Sequence, residues 1–577
     1  MSGNEWLIFF LVIQVIHGLA TWKLYIKAGR QAWEAFVPVY NAVILMKIIN
    51  REWWWTILLF LPIVNLILFP VVWIETARSY GRNSNLDTIL AVVTLGFFNF
   101  YLNYVADVTY VENRDLKPRT GLGDWVSSIA FAVVAATIVH TYFIQPFVIP
   151  SSSLEKSLLI GDFLFVSKFH YGARLPMTTV ALPMVHDSIP LTKQKSYLFS
   201  DDYEARKTSW LNKLQLPYMR LPAFEKIDRN EIVVFNQPAD TLLDMNVFTP
   251  DRNYYKPIDK KTNLVKRCVG TPGDSLEIKD GYVYINGKKN ELPDRGKLQF
   301  YHTVEPRSMA ERLYTKYGIT ETQERQIFAI ENRFWDNPQL QSYLKTEGIT
   351  LNVESKDSLR TLVTGGMTQK LFNQLKVKVA GSTLNVNMTE EIAEQMRKEN
   401  GITSVTRLNS KLPDFSLFPQ DRSYKNSIDN FGPLYIPKKD ATVDLNVDVL
   451  PLYKRIITEY ERNTLSVNGN QIKINNEVVN SYTFKQDYYW MMGDNRQRSA
   501  DSRFWGFVPH NHVVGKPVLI WMSWDSNGTW FNKIRWNRLF TTVHGSGSPV
   551  SYFIPFLVVL AGIIGFNKWR KRKQAAS

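Results

Sequence analysis

Long apolar runs gather at the two ends of the chain, and short alternating ones lie between them. Trp6 to Trp22 reads WLIFFLVIQVIHGLATW with no small-residue cleavage site after it, which predicts a membrane span rather than a removed signal peptide. Trp53 to Thr76 predicts a second span and Thr88 to Tyr104 a shorter third, whereas Val37 to Asn50 is too short to cross and predicts an interfacial or re-entrant segment. Trp125 to Ile149 and Val550 to Phe566 predict the last two spans. Cations mark their ends: Lys23, Lys27, Arg30, Lys47 and Arg51 between the early segments, Arg114, Lys117 and Arg119 before Trp125, and Lys568, Arg570, Lys571, Arg572 and Lys573 after Phe566. The positive-inside tendency keeps all three groups cytoplasmic, so residues from about 150 to about 548 form one exported region between two anchors. Three spans ahead of Trp125 would leave the N-terminus outside.

The exported region predicts mainly strands. Glu231–Phe235, Leu276–Ile278 and Gly281–Gly287 are rich in β-branched and aromatic residues and are punctuated by Gly, Asp and Pro. Gln471–Val479 reads like a second copy of the strand and turn at Tyr282–Lys288. From 300 to 430 polar residues dominate, with helices expected over Glu305–Trp335 and Thr389–Glu399, so this stretch predicts an α+β insertion that is dispensable for chemistry. The expected architecture is a mainly β exported domain with an α+β insertion, flanked by transmembrane α-helices. Its expected divisions are an N-terminal multi-pass module (1–122), a transmembrane helix (123–149), two parts of a β-domain (150–299 and 431–546) around the insertion (300–430), and a final helix with a basic tail (547–577).

Composition sharpens this picture. A formal net charge of +15 suits nucleic acid or an anionic membrane surface, and 17 Trp, 27 Tyr and 33 Phe favour the membrane, because amphipathic rings collect at headgroup depth. No nucleic-acid-binding fingerprint competes with that reading. The single cysteine, Cys268, excludes an intramolecular disulfide and a Cys-rich metal site, and is expected as a small buried apolar side chain. No metal and no cofactor are expected.

Three blocks in the β-rich region carry candidate chemistry. The first runs from Pro150-Ser151-Ser152-Ser153-Leu154-Glu155-Lys156-Ser157 to Gly161-Asp162 and on to Lys168, the second is Leu264-Val265-Lys266-Arg267-Cys268-Val269-Gly270-Thr271-Pro272-Gly273-Asp274, and the third is Met492-Gly493-Asp494-Asn495-Arg496-Gln497-Arg498-Ser499-Ala500-Asp501-Ser502-Arg503-Phe504-Trp505-Gly506. A serine hydroxyl needs a neighbouring base to become a nucleophile, and none of the eight histidines sits in a recognisable triad motif. A lysine can replace histidine if burial lowers its pKa, which is about 10.4 in water, by several pH units. Lys266 is the best candidate, in a strand-like run between Val265 and Cys268, while Arg267 stays protonated and alternation turns it to the other face.

Together and in this order, the three blocks resemble the bacterial type I signal peptidases, membrane-bound serine proteases that remove signal peptides from exported proteins. The resemblance covers most of 123 to 540, excluding segments near 175–220 and 300–430, and implies a β-fold of coiled sheets. It aligns Ser153 with the nucleophile, Lys266 with the general base, Ser499 with a serine that hydrogen-bonds and orients the lysine, and Ser151 with a hydroxyl that helps the Ser153 N–H hold the oxyanion. Asp501 and Arg503 align with a support pair, and Asp494 and Arg496 with further structural support. Departures are Ser152 where the family commonly has glycine, Leu154 for a methionine, Glu155-Lys156-Ser157 for the usual continuation, and Gln497-Arg498 for an acidic-and-asparagine pair. Spacing to Gly161-Asp162 favours Ser153 among the three consecutive serines. Residues 28–41 resemble small multi-pass modules of unassigned activity.

The resemblance implies a multi-pass protein of the bacterial plasma membrane with its β-domain on the outer, periplasmic face. The partners implied are secretory preproteins with small residues before the scissile bond, membrane lipid, and the secretion translocon. Trp521, Trp524, Trp530, Phe531 and Trp536, with Lys533, Arg535 and Arg538, supply an aromatic and basic stretch suited to lipid contact. Two other readings are a self-cleaving Ser/Lys protease and a catalytically silent membrane scaffold that binds exported chains.

Overall fold

The computed structural model describes residues 3–117, 120–241, 253–305, 311–346, 349, 351–365, 367–375 and 377–576. Among them, three helices are long and apolar enough to cross a membrane: α1 (Gly3–Lys27), the helix that begins as α7 (Gly121–Ile138) and runs on to Phe143, and Phe553–Gln574. The expected span Trp53–Thr76 is instead two helices, α3 (Trp55–Leu59) and α4 (Val64–Ser79). Pro62 lacks an N–H to continue a helix, and Ile63 turns the chain with φ of +70°. The run Thr88–Tyr104 is also broken, into α5 (Asn85–Val93) and α6 (Phe98–Tyr104), which bend by 117° and together fit either a broken span or a re-entrant loop. The short run near Val37 forms α2 (Tyr40–Ile48). Arg51 and Arg114 meet the buried Glu75 at one end of this bundle.

The span expected over Trp125–Ile149 ends early. Its last residues form strand β1 (Ile144–Val148), which pairs antiparallel with β2 (Asp162–Ser167) from Ile144 opposite Ser167 to Val148 opposite Phe163. The membrane helix therefore runs almost directly into the main sheet. That sheet is antiparallel throughout and has the order β1, β2, Val513–Ser523, β3 (Ile232–Asn236), β4 (Asn263–Gly270), Tyr488–Met492, Val508–Pro509, with Thr541–Thr542 as a further partner of the long strand. Val513–Ser523 pairs along one side with β2 and along the other first with β3 and then with Thr541–Thr542, so the sheet curls instead of lying flat. The mainly β architecture with flanking apolar helices is thus the one expected.

A four-stranded sheet, a three-stranded one and a two-stranded one (Thr442–Asp444 with Ser481–Thr483) add to this part of the chain. The echo noted in the sequence is real: Tyr282–Ile285 with Lys288–Lys289 and Gln471–Ile474 with Glu477–Val478 are equivalent hairpins, turned by Asn286-Gly287 and Asn475-Asn476 at positive φ. Residues 300–407 build a separate six-stranded sheet with its own core. The expected helix over Glu305–Trp335 is corrected to helix Glu311–Tyr317, strand Thr322–Glu331 and helix Asn332–Trp335. Phe328 and Ile330 lie two apart on the buried side of that strand, a period of two that the polar residues around them disguise. Thr389, the expected helix start, caps Glu390–Met396 by accepting from the Ile392 N–H.

Candidate active site

Ser153 sits in a short 3-10 turn, Ser152–Leu154, directly after β1. Leu154 and Leu158 anchor the turn in a core shared with Leu164, Val166, Ile232, Val234, Val514 and Ile520. Gly161 closes it: its φ is +85°, and a Cβ there would stand 1.9 Å from the Trp524 carbonyl oxygen, so only glycine fits. The next residue, buried Asp162, accepts from Leu159 N at 2.8 Å, Ser523 Oγ at 2.6 Å and Arg538 Nε at 3.0 Å, fastening the turn to the far end of the sheet.

Lys266 lies in the middle of the sheet on β4, opposite Val233 of β3. Lys266 Nζ and Ser153 Oγ are 2.7 Å apart in a buried hydrogen bond that joins residues 113 positions apart in the chain. Burial pushes the lysine pKa down from 10.5 to about 8; the nearby Arg503 charge adds to that, and Asp501 and Asp494 oppose it. The result is a buried amine whose charged form is disfavoured, within hydrogen-bond distance of a serine hydroxyl. Cys268, two residues on, is buried in the core as expected.

The third block surrounds this pair. Asp501 and Arg503 form the expected ion pair, fully buried, with Arg503 Nε donating to Asp501 Oδ1 at 2.8 Å and Asp501 Oδ2 accepting from Gly493 N at 3.1 Å. Burial opposes the charge on Asp501, but Arg503 holds its carboxyl below the usual range. Asp494 is also ion-paired, with Arg267: Arg267 Nε and Nη2 donate to its two oxygens at 2.8 and 2.6 Å. Alternation thus gives Lys266 and Arg267 different partners, one serine and one carboxylate. Arg496 is buried, donates to Met492 Sδ at 3.3 Å, and contributes its backbone to the turn.

Ser499 and Ser151 complete the expected set. Ser499 Oγ is buried but makes no hydrogen bond among the described residues, to Lys266 or to any other group. It lies beside Gly493, where a Cβ would meet Ser499 Oγ at 2.3 Å and the Ser153 carbonyl oxygen at 2.6 Å, so the missing side chain is what lets the third block close on the serine turn. Ser151 is exposed next to Ser153, and its side chain makes no cap bond to the turn. In the aromatic stretch, Trp521 stacks on Phe165 with ring centres 5.6 Å apart, and Arg535 and Arg538 hold the Ile160 carbonyl and Asp162. Trp530 and Phe531 remain almost fully exposed.

Sequence reading missed Asn495, Glu321 and Asn387. Asn495 N donates to the Ser153 carbonyl at 3.1 Å, and the Glu321 carboxylate accepts from the Ser152 hydroxyl and from Asn387 Nδ2 at 2.7 Å. Asn495 was visible inside the Gly493-Asp494-Asn495-Arg496 block, but nothing in the polar texture of 300–430 singles out Glu321 or Asn387. The insertion, expected to be dispensable for chemistry, therefore touches the serine turn.

The family of signal peptidases, peptidase S26, matches residues 122–333 and 376–524, more than half of the chain. The chain belongs to this family. The match runs through 175–220 and much of 300–430, which the sequence reading had set outside the resemblance, and leaves out only 334–375 between its two parts. Signal peptidase I of Haemophilus influenzae is 48% identical over 435 residues, 75% of this chain and 79% of the relative. Signal peptidase I of Buchnera aphidicola is 24% identical over 467 residues, 78% of this chain and 96% of the relative. Residues 33–113 match a family of unknown function, DUF5684.

Proposed function

We propose that this signal peptidase cleaves with Ser153 as nucleophile and Lys266 as general base. The observation that carries the assignment is the 2.7 Å contact between Lys266 Nζ and Ser153 Oγ inside a buried pocket that lowers the lysine pKa. As a serine endopeptidase it removes signal peptides from exported preproteins. In the proposed first step the neutral amine takes the hydroxyl proton while Oγ attacks the scissile carbonyl, and the ammonium then returns that proton to the leaving amine. The Ser153 N–H, with the exposed Ser151 hydroxyl, would receive the developing oxyanion, where one donor is typically worth roughly 3–4 kcal/mol. Asp501 with Arg503, Asp494 with Arg267, and the buried Arg496 hold the lysine and the serine turn in place, and Ser499 packs beside Gly493 where the third block meets that turn. Small side chains before the scissile bond are the expected substrate preference.

Exposed Trp530 and Phe531 suit insertion among lipid headgroups, which would keep the site at the membrane surface where the substrate's apolar helix ends. Preproteins that arrive this way come from the secretion translocon, a partner this reading implies. The same reading puts the β-domain on the periplasmic face of a multi-pass protein of the plasma membrane, with 1–122 as a membrane module and 300–430 as an insertion. Two contacts support that orientation: the Trp6 indole, at the start of α1, donates to the Gln215 carbonyl at 3.1 Å, and Ile63, at the tip between α3 and α4, packs against Ala181, Tyr197 and Phe199. The cationic end of α1 points the other way, where Lys27 Nζ donates to the Val108 carbonyl at 2.9 Å.

The test is turnover of a preprotein by purified Ser153→Ala, Lys266→Ala and Lys266→Arg variants. All three are expected to be inactive yet folded, the arginine variant because it keeps the charge and cannot become a neutral base. Full activity in any one of them would remove the assignment. The buried Ser–Lys contact also speaks against a silent scaffold, which would have no use for an amine held partly neutral.

A further inference from the structure

Glu321 stands just before the strand Thr322–Glu331 of the inserted sheet, 169 residues from Ser152 in the chain. Its Oε1 accepts from the Ser152 hydroxyl and lies 3.5 Å from Arg498 Nε. Its Oε2 accepts from Asn387 Nδ2 at 2.7 Å and from Asn495 Nδ2 at 3.1 Å. Asn387 also donates to Asn495 Oδ1 at 2.8 Å, and Asn495 Nδ2 donates onward to the Ser152 carbonyl at 3.1 Å. On the other side of the turn, Lys156 Nζ donates to the Gly318 carbonyl at 2.6 Å.

One peptide unit sits among these contacts: the Ser152 carbonyl accepts from Asn495 Nδ2 and, within the turn, from Glu155 N at 2.9 Å, while Glu321 holds the Ser152 side chain beside it. A trans peptide is planar, so its C=O and N–H point in opposite directions, and holding the Ser152 carbonyl fixes the direction of the Ser153 N–H. That N–H is the proposed oxyanion donor, and the same residue carries the proposed nucleophile. We propose that Glu321 is a positioning residue for the reaction: the inserted sheet reaches into the serine turn and, through Ser152 and Asn495, sets the orientation of the Ser152–Ser153 peptide. Every group that meets the carboxylate is a donor: one hydroxyl, two amide NH2 groups and one guanidinium. A carboxylate accepts from all of them, whereas an amide in its place would turn an NH2 against donors. The neighbouring charges are Arg498, Glu155 and Lys156, and the hydrogen bonds from Ser152, Asn387 and Asn495 keep the Glu321 carboxyl ionised below the usual range despite partial burial.

The inference rests on Ser153 as the nucleophile, so Ser153→Ala is measured beside it. Full-length enzyme in detergent is assayed on a short signal-peptide substrate as wild type, Glu321→Gln, Glu321→Ala, Ser152→Gly and the Glu321→Ala/Ser152→Gly double variant, with a melting curve for each. Both Glu321 variants are expected to lose at least about tenfold in kcat with KM changed by less than about threefold. The Glu321→Ala penalty should shrink by at least about threefold in the Ser152→Gly background, because the two side chains act on one peptide. Wild-type kcat in both Glu321 variants, a loss confined to KM, or an equal penalty in both backgrounds overturns the inference. If Glu321→Ala does not fold, the near-isosteric Glu321→Gln decides it on kcat. An active Ser153→Ala would instead remove the reading on which it rests.

Discussion

Lys266, the proposed general base, is the residue on which the pH behaviour of this enzyme is expected to turn. Its ammonium is destabilised mainly by burial, and the two nearest carboxylates offset only part of that, which leaves its pKa at about 8. Only the neutral amine accepts a proton, so activity is lost as pH falls through this value and is gained as pH rises through it. A plot of kcat/KM against pH for a peptide substrate is expected to climb about tenfold per pH unit on its acid side and level off above pH 8. A profile flat from pH 6 to about pH 9 would show that no such lysine controls the step. The eight histidines offer no competing explanation, since none contacts Ser153 among the described residues.

At the scale of elements, the site is a junction of three pieces of chain. The turn after β1 supplies Ser153, the middle of β4 supplies Lys266, and the loop after Tyr488–Met492 closes over both. The buried pair Arg267–Asp494 pins β4 to that loop. Removing one member of a buried ion pair leaves the other charge uncompensated, at a cost of about 3–5 kcal/mol. Asp494→Asn is therefore expected to lower the melting temperature markedly and to reduce activity through misplacement of Lys266. An unchanged melting curve would show that the pair carries no structural weight. The inserted sheet is a fourth contributor through Glu321 and Asn387, so excising all of 300–430 removes two side chains that border the serine turn.

For the whole molecule, the membrane module and the β-domain share contacts at Trp6 and Ile63, with the Arg51–Glu75–Arg114 cluster at the opposite end of the bundle. Arg51 before α3 and Glu75 near the end of α4 meet in that cluster, so the chain over Trp53–Thr76 doubles back. With α1 as the single span before α7, the proposed orientation puts the start of α1 on the side of the β-domain. Because Cys268 is buried, background labelling of the native chain will be low. A cysteine placed at Gly3 is expected to react with an impermeant maleimide in sealed right-side-out vesicles, and one placed at Gln574 only after the membrane is opened. The reverse pattern would invert the proposed orientation.

Much of this was legible in the one-dimensional pattern. Apolar length and flanking cations marked the anchors, a run of β-branched and aromatic residues marked β3, a strand-like run marked β4, and the three blocks, through the resemblance they carry, pointed to Ser153 and Lys266 before any geometry was known. Local rules suffice there because a span, a strand and a glycine turn each follow from neighbouring residues. What required the tertiary structure was every relation between distant residues: the breaks in two apparent spans, the pairing of Asp494 with Arg267, the unbonded hydroxyl of Ser499, and the reach of Glu321 into the serine turn. Partner choice for a buried charge is set by packing across the sheet, and the sequence carries no local trace of it. A carboxylate in a polar stretch looks like solvated surface until the fold brings donors to it.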